Sequence, residues 1–203
     1  MIKRLFDIFL SSISLLLLSP YFLLIALAIK ITMPGPVFFR QVRIGYRCKP
    51  FLILKFRSMI INKSELTVTL KSDNRITTFG RFLRKSKTDE LPQLWNILIG
   101  EMSFVGPRPD VPGYSDKLQG EAQLLWIVKP GLTGLDSISY PNEEELLDKQ
   151  PDPQRYYDEV LWPDKVRINV HYIRNRSFWL DMEILIRTLL GRWKKTIPVE
   201  KAK

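Results

Sequence analysis

The sequence predicts an α+β fold, mostly helical: an N-terminal re-entrant membrane helix broken at Ser19-Pro20, a small β-hairpin, and amphipathic helices suited to an interface. Three observations carry that expectation. Residues 8–29, IFLSSISLLLLSPYFLLIALAI, contain no charged side chain. Two strand-like runs, VFFRQVRI (37–44) and FLILKFRSM (51–59), are separated by a short connection from Gly45 to Pro50. The stretch FWLDMEILIRTLLGRWKK (178–195) repeats apolar residues at helical spacing.

The apolar run comes first. As one straight helix it would reach about 33 Å, close to the thickness of a bilayer core. Two features favour a bend over a straight span. Proline removes a backbone donor and clashes with the carbonyl four residues back, so Ser19-Pro20 should kink the helix. The Ser19 hydroxyl can satisfy a carbonyl freed in this way. Positive charge also flanks both ends: Lys3 and Arg4 before, Lys30, Arg40, Arg43, Arg47 and Lys49 after. Both flanks therefore prefer the cytoplasmic side, and a helix that enters and leaves by one face satisfies both. A secretory signal fits less well, because the run exceeds the usual apolar region of about 7–15 residues and has proline at its centre.

Met33-Pro34-Gly35-Pro36 makes a rigid exit. The hairpin then delivers Lys55 and Arg57 near the end of its second strand. Residues 60–75 read as loop or short helix, 129–138 as a Pro/Gly turn, and 141–165 as an acidic surface excursion. Residues 178–195 place Trp179, Leu180, Ile184, Leu185 and Leu189 among the apolar side chains, with Trp193, Lys194 and Lys195 at the end. Such a helix suits a membrane surface or a buried core equally.

The chain of 203 residues has a net charge of +10, unevenly spread. Residues 1–100 hold 16 basic and five acidic side chains, residues 101–203 hold 15 and 16. That excess points to phosphate-rich partners or an anionic lipid surface. Cys48 and His171 are the single cysteine and histidine, which excludes an internal disulfide framework or a thiolate zinc site and nearly excludes a histidine triad. Both read as structural.

Against that basic background, SKTDELPQLWNIL (86–98) sets Asp89 beside Glu90. Leu91, Leu94, Trp95 and Leu98 share a helical face, Thr88 is a plausible N-cap, Pro92 is tolerable in a first turn, and Gly100 is a plausible stop. An acidic first turn is ordinary by itself. Four cations, Lys55, Arg57, Arg84 and Arg108, are candidate anion binders around it. A carboxylate among cations can hold Mg²⁺, whose hard-oxygen preference suits substrate phosphates, or can attack phosphorus as a nucleophile.

Four collinear motifs, KFRSM (55–59), TDELPQLWN (88–96), MSFVGPRP (102–109) and KPGLTG (129–134), follow the Ser-Pro-broken apolar N-terminus. In this the chain resembles, over essentially its whole length, the bacterial sugar transferase family of small monotopic polyprenyl-phosphate phosphoglycosyl transferases. The resemblance implies transfer of a sugar-1-phosphate from a UDP-sugar to undecaprenyl phosphate, with release of UMP, as the first membrane step of glycoconjugate assembly. It implies Asp89 as nucleophile and Mg²⁺ contact, Glu90 as its catalytic partner, and Arg108 on substrate phosphate with Lys55 and Arg84 assisting. It also implies residues 1–36 as membrane helix and exit turn, and 37–203 as a catalytic domain on the cytoplasmic face of the bacterial inner membrane, near anionic lipids. Nucleic acid is not an expected partner, since no recognition module is present. A membrane-bound phosphohydrolase using the same aspartate is the alternative. After KPGLTG many relatives carry a Trp-Ala-Gln stretch, whereas this chain reads LDSISYPNEEELL (135–147).

Overall fold

In a computed structural model, residues 2–60, 73 and 75–191 are described. The first element is α1 (Ile2–Thr32), which contains Pro20 and is the one described helix long and apolar enough to cross a membrane. The helical assignment runs through Pro20 without interruption. The carbonyl that proline deprives of its partner is that of Leu16, and Ser19 Oγ donates to it at 2.8 Å. The hydroxyl thus replaces the missing bond.

The hairpin forms as expected, β1 (Phe38–Ile44) pairing antiparallel with β2 (Pro50–Phe56) in a register that sets Phe39 against Lys55. Thr77 then caps α2 (Thr78–Lys85), its side chain accepting from the Gly80 N–H.

The Asp89 segment departs from the expected helix start. Thr88–Glu90 is a 3₁₀ turn, and α3 begins only at Gln93, running to Ile99 and ending at Gly100 in a left-handed conformation. Thr88 is no N-cap; its hydroxyl accepts from Ser86 Oγ (2.8 Å) and pairs with Tyr21 of α1 (3.2 Å). Nor is Trp95 on the inner face. The buried face is Gln93, Leu94, Asn96 and Ile97, with Trp95 half exposed. The reason is Asn96, which reaches β2: its Nδ2 donates to Leu52 O (2.8 Å) and its Oδ1 accepts from Leu54 N (3.0 Å). Turning Asn96 inward rotates the tryptophan outward.

Residues 129–138 are more than a turn. Two short parallel strands, β3 (Ser103–Val105) and β4 (Gly131–Thr133), pair within the core, and α4 (Leu135–Ser139) follows. The acidic stretch is not a surface excursion either. It folds into α5 (Glu143–Asp148), α6 (Pro153–Tyr156) and a π-helical turn (Tyr157–Leu161), and Leu147, Tyr157 and Leu161 form a buried cluster of their own.

Two helices complete the chain, α7 (Trp162–Asn175) and α8 (Phe178–Leu189). In α8 both expected faces coexist: Ile184 is buried and Leu180 and Leu185 pack on the core, while Trp179 and Leu189 stand open. Trp193, Lys194 and Lys195 lie outside the described residues, as does most of 60–75. The main core gathers α3, β3, α4, α7 and α8 around Ile97, Met102, Ile138, Ile168 and Ile184. A second core joins Ile25, Ile29 and Met33 to Phe56 and Leu83.

Candidate active site

The site is built where β2, the 3₁₀ turn and the segment after β3 converge. Strand β2 carries Lys55, the turn carries Asp89 and Glu90, and Pro107-Arg108-Pro109 leaves β3. Asn96 clamps α3 to β2, and that clamp brings the turn onto Lys55. Lys87, just before the pair, holds a left-handed φ of 56°, a conformation that costs a non-glycine residue about 1 kcal/mol or more.

Glu90 is buried and fully engaged. Its Oε1 accepts from Lys55 Nζ (2.8 Å) and Arg108 Nη2 (2.5 Å), and its Oε2 from Arg108 Nη1 (3.3 Å). Burial alone would raise this carboxyl, but Arg108 and Lys55 together hold it well below the usual carboxylate range. The Glu90 charge in turn raises Arg108, while burial lowers Lys55 against the pull of the same carboxylate.

Asp89 is the opposite case. It is 6% exposed, and its Oδ1 is buried without a hydrogen-bond partner. Burial first, then the neighbouring Glu90 charge, push its carboxyl up to about 6, while Lys55, Arg84 and Lys87 pull the other way. A buried acceptor left unpaired costs about 1–3 kcal/mol, and it persists where something other than the protein completes it.

The remaining candidates divide. Arg84 lies close enough to Asp89 to act on its charge, yet its guanidinium is paired with Glu144 of α5 and touches Met59 Sδ at 3.4 Å. Arg57 is not brought to the pair. It is buried and donates to Pro34 O (2.6 Å) and Met33 O (2.7 Å), tying the exit turn after α1 to the end of β2. Ser19 and Pro20 sit mid-helix in α1, just before Tyr21, whose hydroxyl pairs with Thr88 (3.2 Å).

Sequence reasoning missed four participants. Arg43 donates to Pro109 O (3.0 Å), and burial followed by the Arg108 charge lower it to about 10, so it stays cationic. Gln93 is buried one turn after Asp89, with its Nε2 unpaired. Glu144 on Arg84, and Glu143 on buried Lys165 (2.8 Å), fasten α5 to the site. The Glu143-Glu144-Glu145 run in a chain with surplus cations was the available signal for the last two.

The donor set suits a hard divalent cation. No group of three or more His, Cys, Asp or Glu side chains able to hold a metal occurs among the described residues. Asp89 Oδ1 is nevertheless an open carboxylate oxygen, and Mg²⁺ commonly takes one or two carboxylates with the rest from phosphates and water. An unpaired buried carboxylate, backed by two cations that a second carboxylate holds in place, is equipped to work on a phosphate group.

Comparison with known proteins agrees. Residues 1–195 match the model described as bacterial sugar transferase. A UDP-glucose:undecaprenyl-phosphate glucose-1-phosphate transferase of Klebsiella pneumoniae is 41% identical over 92% of this chain, and one of Escherichia coli is 38% identical over 93%. This chain spans 39% of the length of each. The exopolysaccharide production protein PSS of Rhizobium leguminosarum is 37% identical over 94% of both chains. With its carboxylate pair, its Pro-Arg-Pro segment and its apolar N-terminal helix all inside the matched span, the chain belongs to the bacterial sugar transferase family.

Proposed function

We propose that the protein transfers a sugar-1-phosphate from a UDP-sugar to undecaprenyl phosphate through a phospho-sugar bonded to Asp89. The single observation that carries this reading is the buried Asp89 Oδ1, unpaired beside a Glu90 already saturated by Lys55 and Arg108. UDP-glucose is the first donor to test, because several relatives are named for it.

In the first step an Asp89 oxygen attacks the β-phosphorus. The new O–P bond forms as the bond from that phosphorus to the bridging oxygen breaks, and UMP leaves with the bridging oxygen. In the second step an oxygen of the lipid phosphate attacks the same phosphorus, Asp89 departs as carboxylate, and polyprenyl-diphosphate-sugar results. Neither step needs a proton. Arg108 and Lys55 face the incoming diphosphate with charge, and Glu90 keeps both in place, so its partnership with Asp89 is electrostatic. Mg²⁺, when bound by Asp89 and the phosphates, would supply further neutralisation of the diphosphate charge. Arg57 is excluded from this set because the backbone occupies it.

The two substrates live in different phases, and α1 supplies a reason they can meet. Near its start, Lys3 donates to Val105 O (2.8 Å) and pairs with Asp181 (2.5 Å), and Arg4 donates to Ile97 O (2.6 Å) and Leu98 O (2.7 Å). Near its end, Ile25, Ile29 and Met33 pack on Phe56 and Leu83. A helix fastened at both ends to one folded unit has no free end for the far leaflet, which supports a re-entrant, monotopic seat on the cytoplasmic face. The apolar side chains left open on α1, with Phe82, Trp95 and Trp179, would meet lipid, and exposed Arg81 and Lys85 beside Phe82 would meet anionic headgroups.

The test is UMP release from UDP-glucose with and without undecaprenyl phosphate, followed by peptide mass mapping after incubation with donor alone. Acceptor-dependent turnover and an adduct on Asp89 are expected. Sugar phosphate released to water at the same rate without acceptor would instead mark a phosphohydrolase, and an adduct elsewhere would remove Asp89.

A further inference from the structure

Pro107-Arg108-Pro109 has an unusual property for a segment that must aim a side chain: prolines on both sides leave Arg108 with its only backbone N–H. That N–H is donated to Asp136 Oδ2, at 3.3 Å. Asp136 is 1% exposed, and Asn169 Nδ2 donates to the same oxygen at 3.3 Å. Its other oxygen accepts from Ser137 N (2.8 Å) and lies near Ser137 Oγ (3.5 Å). The ordinary task of a first-turn carboxylate in α4 therefore occupies Oδ1 alone. Oδ2 is turned to Arg108.

The two residues meet because of the parallel strand pair. A Cβ on Gly106 would lie 2.4 Å from Lys129 O, and one on Gly134 would lie 2.2 Å from Gly106 O and 2.7 Å from Asp136 Oδ1. Only glycine permits backbones this close. The segment is held from its other sides by Gly131 N on Pro107 O (2.8 Å) and Arg43 on Pro109 O (3.0 Å).

We propose that Asp136 is a positioning residue for Arg108, holding the one backbone donor of Pro-Arg-Pro so that the guanidinium faces Glu90 and the donor diphosphate. It acts through Arg108 and does not touch substrate. This rests on the phosphate role given to Arg108 under the transferase reading, and it concerns the stretch after KPGLTG where the chain parts from many relatives.

The test compares Asp136→Ser, which cannot reach the N–H, with Asp136→Asn, whose amide oxygen can. In otherwise wild-type protein in lipid nanodiscs, the serine variant is expected to lower affinity for UDP with Mg²⁺ about 10- to 100-fold, the scale of a displaced positioning group. Asparagine should recover part of it, because its single amide oxygen can accept from the Arg108 N–H or the Ser137 N–H but not from both. In an Arg108→Ala background the serine change should add almost nothing. Equal losses in both backgrounds, with asparagine no better than serine, would reduce Asp136 to a structural carboxylate. Hydrogen exchange of the Arg108 amide in the unmodified protein gives a reading even if the serine variant fails to fold: protection comparable to core amides is expected, and exchange at the rate of an open loop overturns the assignment. Wild-type protein with no affinity for UDP would sink the transferase reading, while the exchange result would still decide the placement.

Discussion

Helix α1 and the Asp89–Glu90 site invert the usual arrangement of a globular protein in opposite senses. On α1, Leu16, Leu17, Leu23 and Ile31 are between 72% and 75% exposed. At the site, Asp89 and Glu90 are nearly as inaccessible as core leucines. Each would be unstable in water alone. Exposed apolar surface of that extent needs a non-aqueous neighbour, and buried charge needs paired counter-charge. Glu90 meets its need inside the protein, whereas Asp89 and the outer face of α1 do not. The two unmet needs correspond to the two substrates of the proposed reaction, a phosphate group and a lipid.

The largest break in that contrast is Asp89→Asn. On the proposed mechanism turnover should fall at least about a thousandfold, the scale of deleting a nucleophile, while binding to liposomes is retained. The same change should stabilise the fold. The Asp89 carboxyl is raised from 3.8 to about 6, so the folded protein holds a proton that the unfolded chain releases, and wild type loses stability as pH rises through that interval. The asparagine variant has no such loss. Its advantage in unfolding free energy should open between pH about 4 and 6 and stay constant above, reaching about 3 kcal/mol at most. Adduct formation by wild type should weaken as pH falls below about 6, because the attacking form is the carboxylate.

Glu90→Gln attacks the satisfied half. It strands Lys55 and Arg108 without their shared anion, and loss of one partner from a buried ion pair costs about 3–5 kcal/mol. Urea denaturation should show this, in contrast to the stabilisation expected one residue earlier. Equal signs for the two variants would mean that both carboxylates sit in the same kind of environment.

Trp179→Ser with Leu189→Ser sharpens the apolar side of the comparison. At 79% and 84% exposure both should be nearly neutral to unfolding in detergent. Each should nonetheless weaken partition onto liposomes, by up to about 2 kcal/mol. The smallest effect expected is for Ser19→Ala, which removes the donor to Leu16 O and should cost about 1 kcal/mol in micelles. An unchanged unfolding curve would show that water replaces the hydroxyl.

Legibility followed the range of the interaction involved. The hairpin, an apolar N-terminal helix and the Ser19 rescue of a proline-freed carbonyl were readable, since each depends on residues close in sequence, whereas the expected break at Ser19-Pro20 is not seen and the helix runs on from Ile2 to Thr32. The start of α3 was misread because Asn96 answers to β2 over 40 positions away, and that bond outweighs the local apolar pattern. The acidic segment looked like solvent-exposed chain because the cations that pair with α5 are remote from it along the chain, Arg84 of α2 60 positions before Glu144 and Lys165 of α7 22 positions after Glu143. Arg57 matched a motif and follows Lys55 by two residues, yet its guanidinium turns to Met33 and Pro34.

The amino-acid order alone determined that an apolar helix, a hairpin and a carboxylate pair in a basic setting would exist, since periodicity, charge content and proline chemistry act within a few residues. Tertiary structure alone decided which carboxylate is saturated and which is left open. Two adjacent acids have the same local context, and only the arrival of Lys55 from one strand and Arg108 from beyond another makes Glu90 the anchor and Asp89 the free group.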